Sequence, residues 1–169
     1  PILQAFMRRV FEAGERNRGL FEHGAMQVLD AAQATPIVAW AAARIEPETG
    51  RQRALLVAGN FSDREAWANF KIGDATLKDF GAFKPRADRD YLFSDLANLD
   101  DHGRPRTYTH SGKFLLEKGL PIGLPPAGVH LFEVSELVPG ESSASAAPAS
   151  TKSEPQAGPA RSAWDSWTE

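Results

Sequence analysis

The side chains of this sequence that could do chemistry are its histidines, several clustered carboxylates and its tryptophans. The histidines lack the HxxxH and HxH spacings that present two metal ligands on one face of a helix or strand. They are His23, His102, His110 and His130. His130 falls within a predicted strand, on the opposite face to Val129 and Leu131. We therefore expect an exposed or hydrogen-bonded histidine and not a metal ligand.

The carboxylates form no pair that predicts acid–base chemistry. Asp100-Asp101-His102 clusters potential ligands in a loop, where solvated turn residues are the preferred interpretation and a calcium site is the alternative. Asp88 and Asp90 flank Arg89, an arrangement typical of local charge balance. Glycoside hydrolysis needs two carboxylates about 5–10 Å apart across a cleft, and no predicted elements place such a pair on opposing walls.

Nucleophile and phosphate motifs are also missing from the sequence. No GxSxG elbow occurs, and Ser111-Gly112-Lys113 lacks the strand–turn–helix context of such a motif. The glycines at 119, 123 and 128 separate turns in a strand-rich region and form no phosphate-binding loop. We therefore predict no catalytic residue, no metal site and no cofactor in these residues.

The tryptophans are the candidate ligand contacts. Trp40 and Trp67 are candidate members of a sugar-stacking platform, but both lie in apolar predicted strands, which favours core packing. Trp164 and Trp167 lie in a polar stretch near the end of the chain. A docking peptide or a sugar contact is one hypothesis for that pair, and a segment without a role is the preferred one.

Composition narrows the classes of partner. The 169 residues carry a formal net charge of −3 with no basic block, so we expect neither nucleic acid nor an anionic membrane as partner. The absence of cysteine excludes disulfides, thiolate catalysis and Cys-based metal sites, and it suits a cytoplasmic protein. No apolar run approaches the roughly 18 residues of a membrane-spanning helix.

The hydrophobic pattern divides the chain into zones 1–22, 23–138 and 139–169. In the first zone, apolar residues at helical spacing predict one amphipathic helix that ends at Gly14 or Gly19 and needs a partner surface. This stripe consists of Ile2, Leu3, Phe6, Met7, Val10 and Phe11. In the last zone, Ser, Ala, Pro and Gly dominate and predict a disordered tail.

The middle zone consists of short runs typical of β-strands. Ile37–Ile45 and Ala54–Ala58 flank the polar turn Glu46–Gly50 and predict a hairpin. Trp67–Ile72 alternates, with apolar residues on one face. Further strands are predicted at Tyr91–Ser94, Arg106–Thr109 and Gly128–Val134, and a loop with a short helix around Leu77 and Phe80 at 74–90. The set predicts a mainly β fold, an antiparallel β-sandwich preceded by one α-helix.

The segment Ala54–Ser62, a strand that ends in Asn-Phe-Ser, resembles the central strand of the C-terminal domain of α-amylase-family enzymes. The opening helix is similar to the last helix of that family's (β/α)8 barrel. Four other motifs are similar to the first two strands, the aspartate–leucine element and the closing strand of its sandwich. In chain order, the helix and these four motifs are Pro1–Asn17, Met26–Asp30, Thr35–Arg44, Phe93–Leu96 and Leu124–Val134. Order and spacing most resemble amylosucrase-like enzymes.

This resemblance, over about residues 1–137, implies a non-catalytic C-terminal domain that stabilises its own catalytic barrel through the opening helix. The family's catalytic carboxylates lie on barrel strands, so a fragment that begins at Pro1 would hold none of them. The parent enzyme would act on α-glucosidic bonds of an α-glucan or sucrose by a retaining mechanism. A free-standing carbohydrate-binding module that uses Trp40 or Trp67 is the alternative, and a small adaptor that docks through its tail is a third.

Overall fold

The computed structural model describes residues 2–23, 25–72 and 83–137 of the chain. The described elements are α1 (Ile2–Arg16), α2 (Arg18–His23), β1 (Ala25–Leu29), β2 (Ile37–Ile45), β3 (Gln52–Asn60), β4 (Ala66–Phe70), β5 (Asp90–Leu99), β6 (Pro105–Ser111), α3 (Gly112–Lys118), β7 (Leu120–Leu124) and β8 (Val129–Leu137). The predicted mainly β fold with a helix before the strands is confirmed. The predicted tail at 139–169 and the predicted helix around Leu77 and Phe80 lie outside the described residues.

The strands form two antiparallel sheets that face each other. The larger sheet has six strands in the order β1-β2-β3-β8-β5-β6, and the smaller one pairs β4 with β7. The predicted hairpin is confirmed, because β2 and β3 pair from Ile37↔Asn60 to Ile45↔Gln52. Its turn is closed by hydrogen bonds from the Gly50 amide to the Glu46 carbonyl (2.8 Å) and from the Glu46 amide to the Arg51 carbonyl (2.9 Å).

The main hydrophobic core lies between the two sheets. Every second residue of each strand points inward, because side chains alternate between the faces of a strand. The core side chains include Ala39, Ala41, Leu56, Ala68, Phe70, Tyr91, Phe93, Leu120, Ile122, Phe132 and Val134. The aromatic members meet edge to face, as with Phe93 and Phe132 at 5.9 Å between ring centroids, an arrangement that aromatic rings favour.

Helices α1 and α2 cover part of the other side of the six-stranded sheet, which we call the outer face. A second apolar cluster lies here, formed by Ala13, Leu20, Ala42, Leu55, Leu96 and Leu131, with Val10, Trp40 and Val57 packed against it. Arg9 Nε donates a hydrogen bond to the Leu96 carbonyl (3.0 Å), and Asn17 Nδ2 donates to Glu133 Oε1 (2.6 Å). Apolar packing and hydrogen bonds together fix the helical segment on the sheet.

The opening helix differs from its prediction in two respects. It continues through Gly14 and ends at Arg16, because the tertiary contacts of Ala13 and Asn17 outweigh the weak helix preference of one glycine. The predicted stripe also divides: Val10 packs against the sandwich itself, whereas Met7 and Phe11 are exposed. The sandwich thus supplies part of the partner surface that the predicted helix needs. No helix in the described part of the chain is long and apolar enough to span a membrane.

Two elements near the smaller sheet were not predicted. Helix α3 begins after Ser111, whose Oγ accepts a hydrogen bond from the Phe114 amide (3.1 Å), the usual role of an N-cap serine. Strand β7 contains Pro121 and Gly123, and both residue types are typical of turns, so the sequence did not predict a strand here. A two-stranded sheet leaves each strand one unpaired edge, where proline is tolerated.

Candidate functional site

The Asn-Phe-Ser motif at the end of β3 forms a hydrogen-bonded junction with the end of β7. The Asn60 side chain is buried, and its Nδ2 donates to the carbonyl oxygens of Arg64 (2.7 Å), Leu124 (3.1 Å) and Pro125 (2.9 Å). Its Oδ1 accepts hydrogen bonds from the amide and the hydroxyl of Ser62. Asn60 thus connects the six-stranded sheet, the following turn and the smaller sheet, and its role is structural.

Asp95 and His130 form a second junction beside Asn60. Asp95 has 0% exposure, and its Oδ1 accepts hydrogen bonds from the amides of Ala97 (3.1 Å) and Leu131 (3.2 Å). His130 Nδ1 lies 2.5 Å from Asp95 Oδ2, and His130 Nε2 lies 3.1 Å from the Gly123 carbonyl oxygen of β7. The expectation of a hydrogen-bonded strand histidine is confirmed.

These junctions bring together, at one end of the sandwich, three of the sequence motifs on which the resemblance to α-amylase-family enzymes was based. Asn60 belongs to the first motif, Asp95 to the aspartate–leucine element, and Leu124 and His130 to the closing one. Each polar atom in the junction is engaged with protein groups, and Asp95 is inaccessible to a substrate. The motifs thus hold strand ends together, and their chemistry is that of a buried hydrogen-bond network.

A second buried carboxylate, Glu136, is also occupied by protein groups. Glu136 Oε1 lies 3.2 Å from a terminal guanidinium nitrogen of Arg86 and 3.4 Å from Arg89 Nε. The second distance is ion pairing without hydrogen-bond geometry, because Arg89 Nε makes no hydrogen bond. Arg89 Nε is also 3.7 Å from Asp88 Oδ2, which confirms the predicted local charge balance and adds Glu136 to it. Glu136 was not predicted as a partner, because it lies on β8, far along the chain from Arg86 and Arg89.

The Asp100-Asp101-His102 loop is a turn stabilised by its first residue. Asp100 Oδ1 accepts hydrogen bonds from the amides of His102 and Arg104, both at 2.9 Å. These bonds, above all the one from the Arg104 amide, hold the pKa of the exposed Asp100 carboxyl below its usual value. The solvated-turn interpretation is confirmed. Across residues 2–23, 25–72 and 83–137, no three His, Asp or Glu side chains are grouped to hold a metal ion.

Trp40 and Trp67, the two candidate sugar contacts, lie on opposite sides of the sandwich. Trp40 is on the outer face of the six-stranded sheet, partly buried against the cluster beneath the helices. Trp67 is on β4 of the smaller sheet, on the side away from the core, and 49% of its surface is exposed. The structure therefore does not bring the two indoles into one platform, and only Trp67 presents a large exposed area.

A groove lies beside the end of β4, between that strand and α3. It encloses about 330 Å³, a volume within the range of small-molecule sites. Asn69, Lys71, Leu116, Glu117 and Gly119 are among the residues that line it. The residues that line it include an amide, two ammonium groups and a carboxylate, so it offers both donors and acceptors. Sequence reasoning missed this groove because α3 was not predicted.

The wall of the groove is attached to β6 by aromatic stacking. His110 of β6 stacks on Phe114 of α3, with ring centroids 5.4 Å apart and planes 12° from parallel. It also meets Phe93 edge to face at 5.5 Å. Burial lowers the pKa of His110, because the charged imidazolium loses hydration in this apolar setting. The neutral ring is therefore the form that suits the packed α3.

The outer face carries a row of large apolar side chains that α1 and α2 leave exposed. Met26, Val28, Val38, Phe61 and Val129 form this outer apolar strip. Val38 and Val129 are paired with Gly59 from either side, and the Phe61 ring lies 3.4 Å from where a Gly59 side chain would begin. Phe61 is 81% exposed and forms one end of the strip.

Neither a protein-family model nor a curated protein matches this chain.

Proposed function

We propose that this chain is a non-catalytic β-sandwich domain of an α-amylase-family enzyme that acts on α-glucosidic bonds, in the manner of an amylosucrase or an α-glucan hydrolase. Its task is to cover and stabilise the catalytic (β/α)8 barrel of a cytoplasmic enzyme. The motif order in the sequence supports the family. The outer apolar strip is the observation that supports the proposed covering and stabilising role.

The strip has the composition of a surface that is covered by another domain. A monomeric protein rarely exposes a contiguous patch of large apolar side chains without a partner. Complete burial of one such side chain contributes about 1.5–3 kcal/mol, so the strip can supply much of the free energy of a domain interface.

Helix α1 determines on which side the barrel would lie. It precedes the sandwich in the chain and already packs on the outer face through Val10 and Ala13, while Met7 and Phe11 remain exposed. If α1 is the last helix of a barrel, the rest of that barrel lies beside the same face. Met7, Phe11 and the outer apolar strip would then be buried in one continuous interface.

The test begins with the coding sequence upstream of Pro1. The proposal expects several hundred residues with βα repeats, an aspartate at the end of one strand and a glutamate at the end of the next. A start codon directly before Pro1 would contradict it and would leave a free-standing sandwich.

A pair of variants in the longer protein then tests the interface. Val38→Glu places a charge in the strip, whereas Ile45→Glu places one on the same strand about 24 Å away. Both positions are exposed, at 51% and 65%. We expect Val38→Glu to lower the thermal midpoint and the α-glucosidic activity, and Ile45→Glu to change neither. Equal behaviour of the two variants would contradict the interface.

The alternative, a free-standing carbohydrate-binding module, is favoured by one observation, the exposure of Trp67. Trp40 does not add to it, because its ring packs at the outer cluster on the other side of the sandwich. The adaptor hypothesis relies on Trp164 and Trp167, which lie outside the described residues.

A further inference from the structure

We infer that the contact between His110 and Phe114 is a pH-sensitive switch for α3. Protonation of the imidazole releases the helix from the sandwich, and with it one wall of the groove, while the two sheets stay folded. The packing of β6 and α3 supports this switch whichever enzyme family the parent protein belongs to.

His110 lies between an aromatic ring of the core and one of α3. Its imidazole meets the Phe93 ring of β5 edge to face, with 5.5 Å between ring centroids, and stacks on the Phe114 ring at 5.4 Å. Phe93 belongs to the core between the sheets, and Phe114 packs against that core. β6 is the last strand of the six-stranded sheet, so the imidazole connects this edge of the sheet to α3.

His110 makes ring contacts and no polar side-chain contacts in the described part of the chain. The titratable groups on the elements packed against it are Asp90, Tyr91 and Asp95 of β5, Arg106 and Tyr108 of β6, and Lys113, Glu117 and Lys118 of α3. None of their charges shifts the pKa of His110, which burial alone lowers, because the imidazolium loses its hydration. An aromatic face also attracts a cation, but here the lost hydration outweighs that attraction.

α3 is the element that can move, because it is short and few side chains hold it. A helix of seven residues is not stable without tertiary contacts. Phe114 and Leu115 are the side chains of α3 that pack on the core, and Leu115 is fully buried. Leu116 and Glu117 are exposed and line the groove. Loss of the His110 contact therefore weakens one of the two attachments of the helix.

The chain at both ends of α3 is fixed, so the movement is confined to the helix. At its start, the Gly112 amide donates to the Arg89 carbonyl (2.6 Å). After its end, Gly119 has φ +80° and runs so close to β4 that a Cβ there would lie 2.5 Å from the Phe70 carbonyl oxygen. Release of α3 thus opens the groove without separating the sheets.

The direction of the pH dependence follows from the two states of His110. The released imidazole takes up a proton with its ordinary pKa of about 6.5, whereas the packed one has a lower pKa. The packed arrangement is therefore fully favoured above pH 6.5 and is progressively lost as the pH falls below that value. Each pH unit changes the opening equilibrium by at most about tenfold.

The test is amide hydrogen exchange of the full chain between pH 7.5 and 5.5, expressed as protection factors that correct for the intrinsic rates. The Phe114 amide, bonded to Ser111 Oγ, and the Gly119 amide, bonded to the Leu115 carbonyl, report on α3, and Leu56 of β3 reports on the core. We expect protection at α3 to fall about three- to tenfold. Up to about 1 M urea should leave it unchanged, because local opening exposes little surface, whereas protection at Leu56 should fall.

Three variants separate the switch from other titrations. His110→Phe keeps a ring in the stack but takes up no proton, so we expect its α3 protection not to respond to pH. His102→Gln removes an exposed histidine in the turn before β6 and should keep the response of the unchanged chain. Phe114→Leu removes the stacked ring, so the pKa of His110, followed by the ¹³C and ¹H shifts of its ring, should rise toward 6.5.

The contrary outcomes are distinct from failure of the proposed function. Protection at α3 that is independent of pH, or that responds equally in His110→Phe, overturns the switch. Protection at α3 with the size and urea dependence of Leu56 means that the helix opens only when the sandwich unfolds, which overturns the local release. Each of these results is possible whether or not the upstream sequence encodes a barrel.

Discussion

The two outward surfaces of the sandwich differ in what covers them and in the side chains they display. The outer face of the six-stranded sheet is partly covered by α1 and α2, and it also displays the outer apolar strip. The side of the smaller sheet displays the half-exposed Trp67 and, farther along the chain, a groove lined by Asn69, Lys71 and Glu117. A continuous apolar surface suits a permanent protein contact, whereas one aromatic ring among polar groups suits a hydrated ligand.

This difference would allow the two surfaces to bind different partners without competition. The core between the sheets separates the surfaces, and the Asn60 and Asp95–His130 junctions hold the sheets together. Changes to the junctions should therefore affect both surfaces, and changes to one surface should leave the other intact.

The largest effect is expected at the junction that both surfaces share. Asp95→Asn replaces an acceptor for the Asn98 amide group and for His130 by a group that donates at one position, deep in the interior. We expect the free energy of unfolding to fall by about 3–5 kcal/mol, because a buried partner is left unsatisfied. Urea unfolding measures this change. Asp100→Asn, in a solvated turn, is the control and should lower the free energy of unfolding much less.

The second effect compares a leucine-to-alanine substitution on the outer face with one on the side of the smaller sheet. Leu20→Ala removes a side chain that is 3% exposed beneath α2, and we expect a loss of about 2–5 kcal/mol. Leu116→Ala removes one that is 45% exposed beside the groove, and we expect a change within about 0.5 kcal/mol. Chemical denaturation of both variants gives the comparison. Similar losses would mean that the helices on the outer face contribute no more to folding than the groove wall.

The third effect is self-association of the isolated chain. Because the side chains of the outer apolar strip are exposed to solvent, we expect oligomers or poor solubility at high concentration. Phe61→Ser removes the most exposed member of the strip and should shift the chain toward monomer in sedimentation velocity. Trp67→Ser, on the other side, should leave the oligomer distribution as it is. A monodisperse monomer of the unchanged chain at high concentration would contradict this prediction.

The smallest effect is a pH dependence at the groove wall. Burial lowers the pKa of His110, so near and below pH 6.5 the unfolded chain binds more protons than the folded one at this residue. Its contribution to stability is complete above pH 6.5 and declines as the pH falls below that value. The thermal midpoint of the unchanged chain should therefore drop more between pH 7.5 and 5.5 than that of His110→Phe. Thermal midpoints that fall by the same amount in both proteins would show that His110 does not contribute to the pH dependence of stability.

Local patterns in the sequence predicted much of the fold but little of the groove. The β2–β3 hairpin was predictable because Glu46–Gly50 has the composition of a turn and both flanking runs are aliphatic. The Asp95–His130 contact was not, because the residues are distant in sequence and only the pairing of β5 with β8 brings them together. β7 was missed because Pro121 and Gly123 are rare in strands, and α3 because one short helix has almost no periodicity.

The position of β8 also determines when the sandwich can be completed during synthesis. The last strand of the described chain lies between β3 and β5, so the β1-β2-β3 and β5-β6 segments are not joined within the sheet until residues 129–137 have left the ribosome. Until then β3 and β5 each expose an unpaired edge, which is the kind of surface that recruits other strands. Closure of the sheet during synthesis thus requires that translation has passed residue 137. We expect chains stopped at Pro126 to be degraded or to aggregate, whereas chains stopped at Leu137 fold.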